Sequence, residues 1–106
     1  MDWPKKIAVK VNHVTYEVIE NHRDGWDEEA FLKRYSEILA KYDYIVGDWG
    51  YEQLRLRGFY ENNNRKAPPE SRIGTLPEYI LEYCNFGCRY FVVKKLKPDG
   101  IDAYTP

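Results

Sequence analysis

Ile7, Val9 and Val11 alternate with small or polar residues, and after Asn12-His13 the alternation resumes with Val14, Tyr16 and Val18. A period of two places each set on one face of a strand, and a two-residue gap between such runs predicts a hairpin. Asn-His signals a hairpin turn less strongly than Asn-Gly, so the turn type stays open. The polar run Glu20-Asn-His-Arg-Asp-Gly-Trp26 predicts a loop. The period then lengthens, with Phe31, Tyr35, Ile38, Leu39 and Tyr42 sharing one face of a helix. Asp27 stands where a carboxylate can accept from the free amides of the first turn. Trp26 and Phe31 match a hydrophobic staple, and Glu29/Lys33 and Glu37/Lys41 are i,i+4 pairs on the solvated side.

The stretch from Tyr42 to Tyr60 predicts a second hairpin, with Gly47-Asp-Trp-Gly50 as its turn. Leu54 and Leu56 point one way, and Gln53, Arg55 and Arg57 the other. Gly58 interrupts the alternation, which predicts a bulge or bend. Residues 61–72 carry little apolar surface and predict a mobile loop. Thr75-Leu-Pro-Glu78 fits a capping box. Leu76, Tyr79, Ile80, Tyr83 and Cys84 trace the stripe of a short amphipathic helix, which Gly87 ends. The apolar run Arg89–Leu96 predicts an interior strand.

The element order ββαββαβ predicts one α+β domain over residues 1–96, with about five strands in an antiparallel or mixed sheet and two helices covering one face. Residues 97–106 form a polar tail expected to fray. At 106 residues the chain is long enough for its own core, to which ten Tyr, three Trp and four Phe contribute. A formal net charge of −1 is not that of a general nucleic-acid binder. The apolar runs are too short to span a membrane, and no hydrophobic signal region follows Met1, so a cytoplasmic protein without membrane contact is expected. Cys84 and Cys88, with three residues between them, match neither a redox Cys-x-x-Cys nor half of a two-pair zinc site. They are expected to be reduced thiols without a disulfide, Cys84 packing as a small hydrophobe. No metal or cofactor is implied.

Three strings resemble one family: Tyr16-Glu-Val-Ile-Glu-Asn-His-Arg-Asp-Gly-Trp26; Tyr42 to Tyr60, with Gly47-Asp-Trp-Gly50 and Gln53-Leu-Arg-Leu-Arg-Gly-Phe-Tyr60; and Leu76 through Glu82-Tyr-Cys-Asn-Phe-Gly-Cys-Arg-Tyr-Phe91. In these the chain is similar to the YutD-like family, small cytosolic proteins of Gram-positive bacteria. The matching strings span residues from about 7 to 96. The resemblance implies a compact α+β domain and supplies neither an activity nor catalytic residues.

Candidate chemistry therefore comes from the residues alone. Asn21, His22, Arg23 and Asp24 beside Glu20 place an imidazole, a guanidinium and carboxylates within a few positions, the equipment for acid–base work on an anionic substrate or a structured turn. Asp48, Trp49 and Tyr51 form a tip on which Trp49 either serves as an interface anchor or folds onto the core. Arg55 and Arg57 share a strand face. They either form an anion patch with Arg89 or Lys94, or pair as solvated arginines with Glu17 or Glu52. Arg57-Gly-Phe-Tyr60 is a poor match to the RNA-binding RNP1 pattern. The reading favoured is a binding or adaptor module that contacts a protein partner through Asn21–Trp26, Asp48–Tyr51 and the Arg55/Arg57 face. An enzyme using Glu20–Asp24 is one alternative. Single-stranded RNA binding, with Trp49 and Tyr60 as stacking platforms, is another.

Overall fold

A computed structural model describes residues 7–83 and 88–96. The expectations for Cys84, for the helix stop at Gly87 and for the tail at residues 97–106 lie outside them. Cys88 lies within them and is disulfide-bonded, which corrects the expectation of a reduced thiol. β1 (Ala8–Val11) and β2 (Val14–His22) form the first hairpin, and α1 (Glu28–Arg34) follows. β3 (Tyr44–Gly50) and β4 (Gln53–Phe59) form the second, followed by α2 (Leu76–Tyr83) and β5 (Tyr90–Leu96). The fold is α+β: a five-stranded sheet in the order β1-β2-β5-β3-β4, with every strand pair antiparallel. The apolar strand β5 lies at its centre.

Because side chains alternate along a strand, the consecutive apolar residues of β5 and β3 must meet cover on both faces. Ile45, Phe91 and Val93 pack with Tyr16, Phe31 and Leu39 beneath α1. Val46 and Val92 pack with Phe59, Leu76, Tyr79 and Ile80 on the side of α2. The helices therefore lie on opposite faces, which corrects the expectation that both cover one. The continuous apolar run Phe91-Val-Val93 is the feature that requires two covers.

Asp27 caps α1 as expected, with Oδ1 accepting from the Ala30 amide at 3.0 Å, and the Trp26 and Phe31 rings meet at 5.3 Å. The helix is shorter than its apolar stripe. Tyr35 is extended, Ser36 caps a separate 3₁₀ turn at Glu37–Lys41, and Ile38 is exposed. The break lets the Tyr35 hydroxyl meet that of buried Tyr16 at 2.9 Å, while Leu39 still reaches the core.

Five further expectations change. β2 continues through Glu20–His22, residues expected in a loop, because a register shift between Val18 and Glu20 turns Ile19 outward and lets pairing with β5 resume. Gly47-Asp-Trp-Gly50 lies within β3, and the turn falls on Tyr51-Glu52, both with left-handed φ. Gly47 serves close approach instead of a turn, since a Cβ there would overlap the Phe91 ring. Gly58 likewise makes no bulge: β3 and β4 stay in register past it, and the Tyr42 ring occupies the space of its missing side chain. Residues 61–72 are bonded in place: Asn62 Oδ1 accepts from the Gly74 amide at 2.6 Å, Arg72 Nη2 donates to the Ala67 carbonyl at 3.0 Å, and Ala67 is buried. The capping box is not made, because the Thr75 hydroxyl donates to the Arg72 carbonyl at 2.7 Å.

Gly47→Ala should lower stability by about 1–3 kcal/mol, the usual cost of overpacking a close contact. Chemical denaturation should show that the loss shrinks when Phe91 is also changed to Leu.

Candidate functional site

Asp48, on β3, is the one fully buried charged residue among those described. Alternation turns it toward the α2 face, and the register puts it opposite Tyr90 of β5 and Arg55 of β4. Arg55 donates to its Oδ1 from Nε at 2.9 Å and also from Nη2, forming an ion pair. Tyr79 of α2 donates its hydroxyl to Oδ2 at 2.7 Å. Both carboxylate oxygens are thus satisfied, which a buried charge requires. Burial first, then donation to Asp48, raises the Tyr79 phenol well above its ordinary range, so it stays protonated and keeps donating. The bond to Asp48 likewise raises the Arg55 guanidinium. Arg55 Nη2 also reaches the Tyr83 carbonyl at 2.9 Å, tying the end of α2 to β4.

The same row extends to β2, where His22 lies opposite Tyr90 and stacks on it at 4.8 Å. Directly opposed residues share a face. His22, Tyr90, Asp48 and Arg55 therefore form one line across four strands. Arg57 lies on this face as well, with its guanidinium over the Phe59 and Tyr79 rings. Neither arginine takes the expected partner Glu17 or Glu52: Arg55 pairs with Asp48, and Arg57 packs on rings.

Trp49 points to the opposite face. Its indole N–H donates to the Gly25 carbonyl at 2.7 Å, and the Arg89 guanidinium lies 4.6 Å over its ring. Arg89 also donates to the Asp24 carbonyl at 3.4 Å, so the early loop and the end of β3 adjoin. Within that loop Asn21 accepts from the Trp26 amide at 3.0 Å, and Arg23 and Asp24 are exposed with left-handed φ. Trp26 packs on Phe31 and Phe91. Tyr60 lies away from this group, at the start of β3, against the Tyr42 ring.

A concavity of about 460 Å³ opens beside the cluster, lined by Trp49, Tyr51, Arg55, Tyr83 and Cys88 among others. Tyr51 is fully exposed at its rim, and the Arg55 side chain is 52% exposed. Neither this concavity, nor one lined by Lys94 and Leu96, nor one lined by Arg57 and Glu82 includes a residue of Glu20–Asp24. Among the described residues, no group of three or more His, Cys, Asp or Glu is placed to hold a metal. No described helix is long and apolar enough to cross a membrane. Sequence reasoning left out Tyr79 and Tyr83, whose i,i+4 spacing on the α2 stripe was legible only as core.

An antiparallel sheet with a helix on each face, pinned by a buried carboxylate–guanidinium–phenol cluster, defines a small α+β domain with an aromatic, arginine-bearing concavity. The chain belongs to the YutD-like family: a family model described as "Putative antitoxin YutD-like" matches residues 10–94. It is 57% identical over 89 residues to the Bacillus subtilis (strain 168) protein named "Putative antitoxin YutD", covering 84% of this chain and 98% of that protein. It is also similar to the solution NMR structure of yutD from B. subtilis, with a TM-score of 0.76 and 54% identity, over 92% of this chain and 88% of the other.

Arg55→Ala leaves the Asp48 carboxylate buried without its cation and should cost about 3–5 kcal/mol. Tyr79→Phe removes one hydrogen bond to a charge and should cost about 1.5–3 kcal/mol. Urea titrations of both variants should rank them in that order.

Proposed function

We propose that the protein is a small binding module that engages a protein partner at the concavity bounded by Trp49, Tyr51, Arg55 and Tyr83. The observation that carries this reading is Tyr51. A turn with two left-handed residues favours Asn, Asp and Gly. Asn12-His13 and Arg23-Asp24 each bring a residue suited to it, whereas Tyr51-Glu52 brings none. Holding a bulky residue there costs on the order of 1–3 kcal/mol, and strain of that kind clusters at functional sites. The tyrosine makes no compensating contact with the core, since it is fully exposed.

The residue types around it support the same reading. Trp, Tyr and Arg dominate the energetics of protein interfaces, and a hollow gives an incoming side chain a desolvated seat. The Bacillus subtilis relative is named "Putative antitoxin YutD", and an antitoxin role is compatible with a module that works by contact.

Tyr51→Asn with Glu52→Gly should raise stability by about 1 kcal/mol, by supplying the turn with favoured residues, and should weaken partner binding. The direct check is a photo-crosslinking amino acid at position 51, with the same group at exposed Lys33 on α1 as the control. The reading requires an adduct specific to position 51 that disappears in Tyr83→Ser. Identical adducts at both positions, or none, would overturn it. Salt-sensitive retention on single-stranded RNA that is lost in Tyr51→Asn would reassign the surface to nucleic acid.

A further inference from the structure

A second and larger concavity, about 560 Å³, lies at the other end of the sheet, where β5 ends and β2 begins. It is lined by His13, Val14, Asp43, Glu61, Lys94, Lys95 and Leu96. The length of β3 separates it from Tyr51, roughly 20 Å for a seven-residue strand. Its volume falls within the range of small-molecule sites.

The charges around it are arranged unusually. Asp43 uses Oδ2 to accept from the Glu61 amide at 3.0 Å, and Glu61 uses Oε1 to accept from the Tyr44 hydroxyl at 3.2 Å. Each carboxylate is thereby oriented through one oxygen, and the other oxygen takes no donor from the described residues. Lys95 is committed to the Ala40 carbonyl at 2.7 Å. Lys94 lies 5.8 Å from the centre of the Tyr44 ring and His13 sits in the exposed β1–β2 turn, so both keep donors to offer. Among the described residues, neither Asp43 nor Glu61 forms an ion pair with Lys94, Lys95 or His13. Acceptors and donors of opposite charge thus line one hollow without neutralising one another, and Val14 and Leu96 give it an apolar wall.

We propose that this hollow binds a short peptide zwitterion with aliphatic side chains, of dipeptide size. The free oxygens of Asp43 and Glu61 take its ammonium, and Lys94 and His13 take its carboxylate. Val14 and Leu96 receive an aliphatic side chain. A ligand with one charge alone would satisfy one wall and leave the other unpaired. Selectivity therefore rests on having both termini free, because a site built to pair a polar group discriminates strongly against its absence.

The test is an amide NMR titration of the full chain with leucyl-leucine, N-acetyl-leucyl-leucine and leucyl-leucinamide. Saturable shifts at His13, Val14, Lys94 and Leu96 are expected with the free dipeptide. Binding should be at least about tenfold weaker for either blocked analogue, as loss of a charge-assisted pair implies. Glu61→Gln and Lys94→Ala, both at accessible positions, should each weaken the dipeptide similarly while leaving the rest of the spectrum unchanged. Absence of saturable shifts, equal binding of the blocked analogues, or variants that bind like the wild type would each overturn the proposal. Shifts at Trp49–Gln53 in place of this end would do so too.

Discussion

One carboxylate sets the geometry of half the molecule. Asp48 is wholly buried, and a buried charge is tolerable only where its partners are already in place. Arg55 and Tyr79 supply those partners from β4 and α2. α2 has no fully buried residue, so apolar burial alone holds it less firmly than Phe31 holds α1. Its position depends on the Tyr79 bond and on the reach of Arg55 to the Tyr83 carbonyl. The same two residues bring Tyr83 to the edge of the concavity that carries the proposed function. Moving the carboxylate by one position along β3 would turn it to the other face and remove both ties.

Strands and their order of burial were largely legible, because a period of two is written directly in Ile7–Val18 and because Phe91-Val-Val93 has no polar face to show to water. What the apolar pattern alone did not carry was where backbone contact overrides it. Gly47 and Gly58 look like turn and bulge residues, and each instead accommodates an aromatic ring from a distant element. The helical stripe from Phe31 to Tyr42 was continuous, yet Ser36 offers a local cap that competes with helix continuation. Tertiary demand from Tyr16 then settles the break. The bulge in β2 is likewise invisible to a periodicity count, since it changes the face of every residue after Val18 without changing the composition.

The candidate residues divide by function once their faces are known. Asp48 and Arg55 were singled out for their chemistry and prove to be a structural pair with one solvent-facing side. Trp49, adjacent in sequence to Asp48, packs toward the early loop on the other face. Adjacent strand residues always diverge in this way, so a string such as Asp-Trp cannot by itself define a shared surface. The left-handed turn at Tyr51 was missed for a related reason: Tyr-Glu carries no turn signal, and its neighbours Gly-Asp-Trp-Gly do. The absence of a suitable turn residue is what makes Tyr51 informative.

Amide hydrogen exchange in Asp48→Asn tests the central role of the buried charge most directly. The account predicts that exchange quickens at the α2 amides and at the β3–β4 turn, while β1, β2 and the amides of α1 keep their protection. Uniform quickening across all elements, or unchanged protection at α2, would contradict it.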